Sequence, residues 1–271
     1  MDYQTYAPPD DLTDFVRCFW TLEAAADPAS PRQRIVPDGC MEMIFHYGDA
    51  YRQYLPDGSA VVQPRCFVFG QVTRPLEIEP TGRTGIFAVR FEPNGFLALT
   101  PEPLSGLADT ATALEDLFGQ AGRDLSATVL ARASTEDRMT AVSDFLRPAL
   151  SDSATADRLL ARAVHTLSKT QGTLSVHELA REVDVNRRRL ERRFSSGVGV
   201  APKHLARIVR LQAAVSRLAT GEYDRLTDLA HDAGYFDQAH FIREFREFTG
   251  QTPGAFFSGN LTMSGLFSTT R

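Results

Sequence analysis

The densest cluster of chemically active side chains in the sequence is a run of arginines. Five of the eight residues at 186–193 are arginine, and Leu190 is the one apolar residue among them. A guanidinium group pairs with phosphate oxygens, and it also binds the O6 and N7 edge of guanine through two hydrogen bonds. The surface of a solvated helix is often charged as well. The run therefore indicates either a nucleic-acid interface or an ordinary charged surface.

The C-terminal third of the chain contains one pattern twice. Its markers are Leu179-Ala180, Leu190, Phe194, Gly199 and Pro202 in the first copy, and Leu229-Ala230, Phe241, Phe245, Gly250 and Pro253 in the second. From Leu190 onward the markers are 51 residues apart, whereas the two Leu-Ala pairs are 50 apart. This difference predicts one extra residue in the central turn of the second copy.

Each copy predicts a helix-turn-helix. A short helix bearing the Leu-Ala pair is followed by a turn and a second helix, which Asn186 or Asp237 would cap and which carries apolar residues four apart. The second helix of such a unit can lie in the major groove of DNA while the first crosses the backbone. Two copies at matched spacing, both with polar second helices, argue against an ordinary charged surface.

The segment 230–253 closely resembles the signature of AraC-type transcriptional regulators. The preceding helix, with Arg210-Leu211, Ala214 and Leu218, fits the same family, so the resemblance covers about residues 160–258. It implies two helix-turn-helix units joined by one long helix. In that family the two units enter successive major-groove segments on one face of the duplex.

The resemblance also implies which side chains contact DNA. In the first unit, the side chains facing bases would be Arg188, Glu191 and Arg192, and those nearer phosphates would be Asn186 and Arg187. In the second unit, the side chains offered to bases or to the sugar-phosphate backbone would be Gln238, Ala239, His240 and Arg243, with Arg246 on the backbone. For His240 a contact to the backbone or within its own helix is an equal alternative.

The average charge of the chain conceals this interface. The formal net charge is −5, which by itself argues mildly against a nucleic-acid partner. Residues 171–258 nevertheless carry a net charge of +2, and the rest of the chain carries −7. The basic surplus thus lies in the part that resembles a DNA-binding domain.

The fold class expected is α+β. Candidate strands occupy 15–23, 35–47 with a break near Pro37-Asp38-Gly39, 65–72, 76–79 and 85–92, and after Pro93 apolar residues recur at helical spacing. We therefore expect a β-rich N-terminal domain, with a barrel-like form as one option, then a helical connector and an all-α C-terminal domain. The expected bounds are 1–100, 101–170 and 171–258, followed by a disordered tail at 259–271. The connector is the expected surface for dimerisation.

Four motifs in the N-terminal part resemble an uncharacterised domain that often precedes AraC-type binding units. They are VRCFW at 16–20, PDGCME at 37–42, GQVTRP at 70–75 and GIFAVRF at 85–91. In better-known members of the family a β-rich N-terminal domain binds a small effector. The resemblance therefore implies an effector sensor, and the partners it implies are double-stranded promoter DNA, RNA polymerase and a second copy of the chain.

Strand alternation at 41–47 gives this sensor a candidate site. It places Cys40, Glu42, Ile44 and His46 on one face and Met41, Met43, Phe45 and Tyr47 on the other. The functional interpretation is a pocket in which Glu42 and His46, with Trp20 or Arg90, orient a ligand. The alternative is a buried cysteine, a paired glutamate and a surface histidine. Cys40, Glu42 and His46 do not make a complete metal-ligand set, so we expect neither metal nor cofactor.

Two other classes of function compete with an effector-controlled regulator. A DNA-tethered enzyme or alkyl-acceptor repair regulator would need a reactive N-terminal thiolate. Cys18, Cys40 and Cys66 lack the spacing of a zinc site or a disulfide framework, and no catalytic motif accompanies them, so we expect free thiols and no enzyme. A nucleoid protein without an effector would bind many sequences nearly equally. The acidic start of the chain and the lack of an apolar run of about 20 residues predict a cytoplasmic protein without a membrane span.

Overall fold

The N-terminal strands form two open antiparallel sheets within the computed structural model, which describes residues 1–27, 30–150, 157–221 and 225–258. The strands are β1 (Asp2–Tyr6), β2 (Val16–Ala24), β3 (Gln33–Ile35), β4 (Glu42–His46), β5 (Tyr51–Tyr54), β6 (Ala60–Val62), β7 (Cys66–Phe69), β8 (Leu76–Pro80), β9 (Thr84–Phe91) and β10 (Ala111–Ala113). The first sheet has the order β1-β2-β9-β4-β7-β10, and the second has the order β3-β8-β5-β6.

Most of these strands agree with the sequence prediction. The predicted strands at 15–23, 65–72, 76–79 and 85–92 correspond to β2, β7, β8 and β9. The predicted strand at 35–47 is divided at Pro37-Asp38-Gly39, so that β3 joins the second sheet and β4 the first. The sequence analysis does not predict β1, β5, β6 and β10, because β1 and β5 lack an apolar run, β6 is three exposed residues and β10 is three half-buried ones. The barrel-like option is wrong for the described residues, since both sheets are open.

The six-stranded sheet has a packed layer on each face. Phe19 and Met43 lie on one face, in a core shared with helices α1 (Leu114–Phe118), α2 (Gln120–Ala131) and α3 (Thr135–Leu150). Their neighbours Trp20 and Ile44 lie on the other face, in a smaller core shared with the four-stranded sheet. Successive residues of a strand point to opposite faces, which is why adjacent residues serve different cores. The space between the two sheets is therefore walled mainly by apolar side chains.

The C-terminal helices form two units around a long central helix. They are α4 (Arg158–Lys169), α5 (Val176–Glu182), α6 (Arg187–Gly197), α7 (Pro202–Thr220), α8 (Leu226–Asp232), α9 (Gln238–Thr249) and α10 (Pro253–Ser258). The start of α7 shares one core with α4, α5 and α6, and the rest of α7 shares another with α8, α9 and α10. The predicted α+β fold with two helix-turn-helix units joined by a long helix is thus confirmed.

The predicted domain bounds at 100, 170 and 258 remain predictions. Helix α4 lies inside the predicted connector, yet its Leu160 and Val164 pack in the core of the first helix-turn-helix unit. Helices α2 and α3 instead pack on the N-terminal sheet. The tail at 259–271, predicted to be disordered, lies outside the described residues. Among the helices of the described ranges, none has both the length and the apolar composition needed to cross a membrane.

Candidate DNA interface and effector cavity

The two helix-turn-helix units build their turns from the same backbone hydrogen bonds. The N–H of Val185 donates to the carbonyl of Ala180 at 2.9 Å, and the N–H of Tyr235 donates to that of Ala230 at 2.9 Å. The residue before each donor has a positive φ, 56° in the first unit and 76° in the second. These residues are an aspartate and a glycine, which tolerate the left-handed conformation. The repeat in the sequence is therefore a repeat in the backbone.

The extra residue of the second unit is Phe236. The second helices of the two units, α6 and α9, are called the recognition helices below, and each begins with a capped turn. Asn186 Oδ1 accepts from the N–H of Arg189 at 2.9 Å, and Asp237 Oδ1 accepts from that of His240 at 2.7 Å. In the first unit the cap Asn186 directly follows the turn donor Val185, whereas in the second unit one residue separates the cap Asp237 from the turn donor Tyr235. Phe236 is that residue, and it is 84% exposed. A large apolar side chain thus projects beside the start of the second recognition helix.

Helix α6 presents an exposed row of arginines. Leu190 and Phe194 are buried in the core of the first unit, and the five arginines are exposed. Arg188 and Arg192 are four residues apart and therefore share one face of the helix. Within the described residues, neither of them forms an ion pair with an acidic side chain. This is the arrangement that base contacts by the two arginines require.

Two other arginines of α6 are already paired. Arg187 Nε lies 2.8 Å from Glu191 Oε1, and Arg193 Nε lies 3.2 Å from Asp157 Oδ2. Glu191, which the resemblance directs toward bases, thus pairs with a residue of its own helix. The Arg187–Glu191 pair is exposed and contributes at most about 1 kcal/mol, so DNA phosphates can compete for Arg187.

Helix α9 presents a less charged surface. Ala239, Arg243 and Arg246 are exposed, and Gln238 and His240 are half-buried. Gln238 Oε1 accepts a hydrogen bond from the hydroxyl of Thr227 at 3.0 Å, which orients the amide.

His240 shows the helix contact that was the alternative to base contact. Its ring lies edge-on to Tyr235 with centroids 5.4 Å apart, and its Nε2 is 4.0 Å from Glu244 Oε2. About a third of the side chain (36%) remains accessible, so the geometry serves either role.

An open groove of about 750 Å³ lies between the two units. The basic side chains on its walls include Arg187 from α6, Lys203 from the start of α7 and Arg243 from α9. Lys203 is exposed and was not singled out in the sequence, because α7 looks like a linker whose surface has no role. Its position directly after Pro202, at the first turn of α7, is the signal that could have identified it. The groove joins the two recognition helices into one basic surface.

Glu244 of α9 forms ion pairs with two arginines of α7. It is 4% exposed, and it lies 2.7 Å from Arg207 Nε and 2.8 Å from Arg210 Nη2. Burial favours the neutral acid, but the hydrogen bonds and charges of both arginines outweigh that effect and lower the pKa of Glu244. Its spacing to Phe241 and Phe248 places it on the core face of α9, which is the sequence signal for a buried carboxylate.

The predicted effector residues line one cavity between the two sheets. Trp20, Glu42, His46 and Arg90 all face it, as do Cys40 and Ile44. Met41, Met43 and Phe45 lie in the core on the opposite side of the sheet, so the predicted alternation is confirmed. The alternative of a surface histidine is wrong, because His46 is 1% exposed. The cavity has a volume of about 50 Å³, and the binding role of the four residues remains a prediction.

A buried guanidinium organises the polar end of the cavity. Arg90 is 3% exposed, and its Nη2 lies 2.7 Å from Glu42 Oε1, which also accepts from the indole N–H of Trp20 at 3.1 Å. Asp38 Oδ2 lies 3.5 Å from Arg90 Nε. Burial raises the pKa of Glu42, with Arg90 opposing it.

The three cysteines are buried and unpaired with one another. Burial raises the pKa of Cys18 to about 11, and it raises the pKa values of Cys40 and Cys66 as well. All three are therefore thiols rather than thiolates near pH 7. Within the described ranges, no three His, Cys, Asp or Glu side chains are grouped so that they could hold a metal ion.

Comparison with known protein families divides the chain in the same way. Residues 4–113 match the domain of unknown function DUF6597, and residues 179–259 match a helix-turn-helix domain of the AraC type. None of the curated proteins compared with the chain is significantly similar to it in sequence.

Solved structures of similar arrangement share little sequence with the chain. ToxT from Vibrio cholerae is 13% identical, with a TM-score of 0.49 over 95% of this chain and 98% of that one. ToxT from Vibrio cholerae O395 bound to (E)-4-(8-methylnaphthalen-1-yl)but-3-enoic acid is 12% identical, with a TM-score of 0.49 over 95% and 99% of the two chains. The AraC-like transcriptional activator CuxR is 16% identical, with a TM-score of 0.32 over 78% and 79%. These likenesses do not establish a shared ligand.

The two family matches confirm both resemblances noted in the sequence. Each covers a separate part of the chain, and the second contains both recognition helices. The chain therefore carries an AraC-type helix-turn-helix domain behind a DUF6597 domain, which is the make-up of a DNA-binding transcription regulator.

Proposed function

We propose that the chain recognises a specific promoter sequence by inserting α6 and α9 into successive major-groove segments, under the control of a small molecule bound between the N-terminal sheets. The observation that carries this proposal is the duplicated turn and cap geometry, which presents two polar helices from one long connecting helix. Recognition helices of such units contact base edges in the major groove.

The proposed base contacts follow the exposed side chains. Arg188 and Arg192 bind guanine edges, and Gln238 binds adenine. Arg187, Lys203 and Arg246 bind phosphates, and Glu191 contributes once DNA has drawn Arg187 away from it. Phe236, which the sequence alone did not single out, packs against a thymine methyl group or a deoxyribose. Asn186, Ala239, His240 and Arg243 complete the contact surface.

The proposal extends to the cellular compartment and to the protein partners of the chain. We propose that the chain acts in the cytoplasm, meets RNA polymerase at its promoter and binds DNA as a homodimer, because two-fold symmetry doubles the phosphate contacts. The apolar faces of α2 and α3 are occupied by the core of their own chain, so a dimer through the predicted connector would use polar outer faces. Sedimentation velocity of the full chain with and without DNA tests the dimer.

Selection of bound sequences from a random duplex library tests DNA recognition directly. We expect the full chain to enrich one motif spanning about 20 bp, because successive major-groove segments are one helical turn apart. A footprint on the selected duplex should cover the same span. Equal binding to selected and random duplexes would instead identify a nucleoid protein.

The alternative of a DNA-tethered enzyme using an N-terminal cysteine is not favoured. An alkyl acceptor needs a thiolate, whereas burial raises the pKa values of all three thiols and keeps them protonated. A labelled methylated duplex incubated with the full chain would transfer its methyl group to protein under this alternative. We expect no transfer.

A further inference from the structure

The cavity between the two sheets contains a buried hydrogen-bond acceptor without a partner. His46 Nδ1 is buried and has no hydrogen bond among the described residues. His46 Nε2 lies 3.4 Å from Gln63 Oε1, while Gln63 Nε2 donates to Gln53 Oε1. The Gln63 oxygen therefore accepts from His46 Nε2–H, which leaves Nδ1 as an acceptor. Burial also keeps the ring uncharged, since it lowers the pKa of His46 to about 4.

The charges of the cavity disfavour an anion. Its walls carry the carboxyl groups of Asp38 and Glu42 and one guanidinium, that of Arg90. The guanidinium is already shared between the two carboxyl groups, at 3.5 Å and 2.7 Å. A bound carboxylate would have to compete with both carboxyl groups for Arg90. A neutral molecule meets no such cost, and a cation meets two carboxyl groups against one guanidinium.

The remaining walls are apolar or aromatic, with Trp20, Ile44, Tyr51 and Ile86 among them. Resting on the proposed effector role of this cavity, we propose that it takes a small neutral or cationic molecule with an apolar body and a hydrogen-bond donor that reaches His46 Nδ1. The cavity rejects carboxylates of the same shape.

Four ligands of one shape test this proposal on the full chain without DNA. They are benzyl alcohol, benzylamine, toluene and benzoate. Trp20 is the single tryptophan of the chain and lines the cavity, so its fluorescence reports occupancy. We expect benzylamine to bind at least tenfold more tightly than benzoate. In His46→Phe, which keeps the ring contacts to Tyr51 and Phe67, affinity for benzyl alcohol should fall about fivefold, while that for toluene changes less than twofold.

Several results would overturn the proposal. Benzoate binding as tightly as benzylamine would contradict the charge argument, and this comparison needs no variant. Equal weakening of benzyl alcohol and toluene in a folded His46→Phe would contradict the role of Nδ1. No fluorescence response to any of the four ligands would exclude the ligand class. None of these results depends on DNA binding, so they are separate from failure of the proposed regulator.

The segment 36–40, between β3 and β4, separates this cavity from α7. Asp38 and Cys40 line the cavity. The carbonyl of Pro37 accepts from Gln212 Nε2 of α7 at 2.6 Å. Gly39 takes a φ of +81°, and a Cβ atom there would lie 2.9 Å from Leu205 of α7. Alternate residues of this segment thus face the cavity and the helix that joins the two recognition units.

The small volume of the cavity means that a bound ligand must displace part of its wall, and segment 36–40 is such a part. The cavity volume of about 50 Å³ is far below the roughly 300–1,000 Å³ of pockets that bind small molecules, so a ligand has to enlarge it. Enlargement must displace a wall outside the strands, because backbone hydrogen bonds fix the strands themselves. The walls outside the strands are segment 36–40, Gln63, Gly70 and Val72, and of these segment 36–40 also contacts α7. We infer that a ligand in the cavity moves segment 36–40 and thereby changes its contact with α7 and the affinity for DNA.

A double-mutant cycle between the two sides of the segment tests this inference. Asp38→Asn weakens the contact to Arg90 but keeps the oxygen that accepts from the N–H of Cys40. Gln212→Ala removes the contact to Pro37, and Ser216→Ala, one turn further along α7, is the matched control. We expect Asp38→Asn to change the dissociation constant of the selected duplex at least fivefold, and to change it less than twofold in the Gln212→Ala background.

A second measurement needs no DNA. Gln212→Ala should shift the emission of Trp20, since Trp20 connects through Glu42 and Arg90 to Asp38, whereas Ser216→Ala should leave the emission unchanged. Additive effects on DNA affinity would overturn the inference, and so would identical emission from Gln212→Ala and the unmodified chain. A chain that binds no duplex would refute the proposed regulator instead, and the emission measurement would still decide the inference.

Discussion

At the scale of single residues, base recognition depends on arginines that form no ion pair within the described part of the chain. Arg192→Ala should weaken binding to the selected duplex by roughly 1–3 kcal/mol and relax the preference at one base pair. Arg189→Ala is the matched control, since Arg189 is exposed on the same helix but is not directed toward bases. Competition between the selected duplex and its single-base variants measures both effects. Unchanged affinity and preference in Arg192→Ala would refute the assigned contact.

His46 should make the stability of the N-terminal sheets sensitive to acid. Burial lowers the pKa of His46 from 6.5 to about 4, with Arg65 adding to the effect. Between these values the unfolded chain binds the proton and the folded chain does not, so the free energy of unfolding falls as pH falls. Relative to His46→Phe, the loss between pH 7 and pH 4.5 should be about 2–3 kcal/mol. Urea unfolding at both pH values measures this loss. An equal loss of unfolding free energy in the two proteins would contradict the prediction.

At the scale of elements, the Glu244 pairs set how α9 sits on α7. Glu244→Gln keeps the shape but leaves Arg207 and Arg210 without their buried counter-charge, so we expect a loss of about 2 kcal/mol in the free energy of unfolding. The control is Glu247→Gln, which removes the 55% exposed partner of Arg207 and should cost less than about 0.5 kcal/mol. Urea unfolding measures both, and equal losses would contradict a special role for the buried carboxylate.

The sequence predicted elements well where a pattern repeated or an apolar run was clear. The duplicated Leu-Ala, turn and cap pattern predicted both helix-turn-helix units, because each copy supported the other. The strands β1 and β6 were missed, since the residues of β1 are mostly polar and β6 has only three exposed residues. Glu244 and Lys203 were missed for a related reason. Their roles depend on which helices pack together, and tertiary packing leaves only a weak trace in local sequence.

At the scale of the whole molecule, the positively charged part of the chain is the part that carries the two helix-turn-helix units. The acidic surplus lies outside residues 171–258, and the basic groove lies between the two helix-turn-helix units. The alternation at 41–47 predicted that Glu42 and His46 share one face, and both line the cavity, because a strand has only two faces. Trp20 and Arg90 lie on neighbouring strands, which the alternation does not address. It could not show that segment 36–40 would also rest on α7, since that contact joins residues far apart in the chain.

The central claim is sequence-specific duplex binding through both recognition helices. The most direct measurement is the affinity of the full chain for the selected duplex and for a scrambled duplex, each over a range of salt concentrations. The account predicts a preference of at least a thousandfold for the selected duplex at physiological salt. It also predicts that log K falls with log salt with a slope of about −3, from the phosphate contacts of Arg187, Lys203 and Arg246. Equal affinity for the two duplexes at every salt concentration would contradict the account.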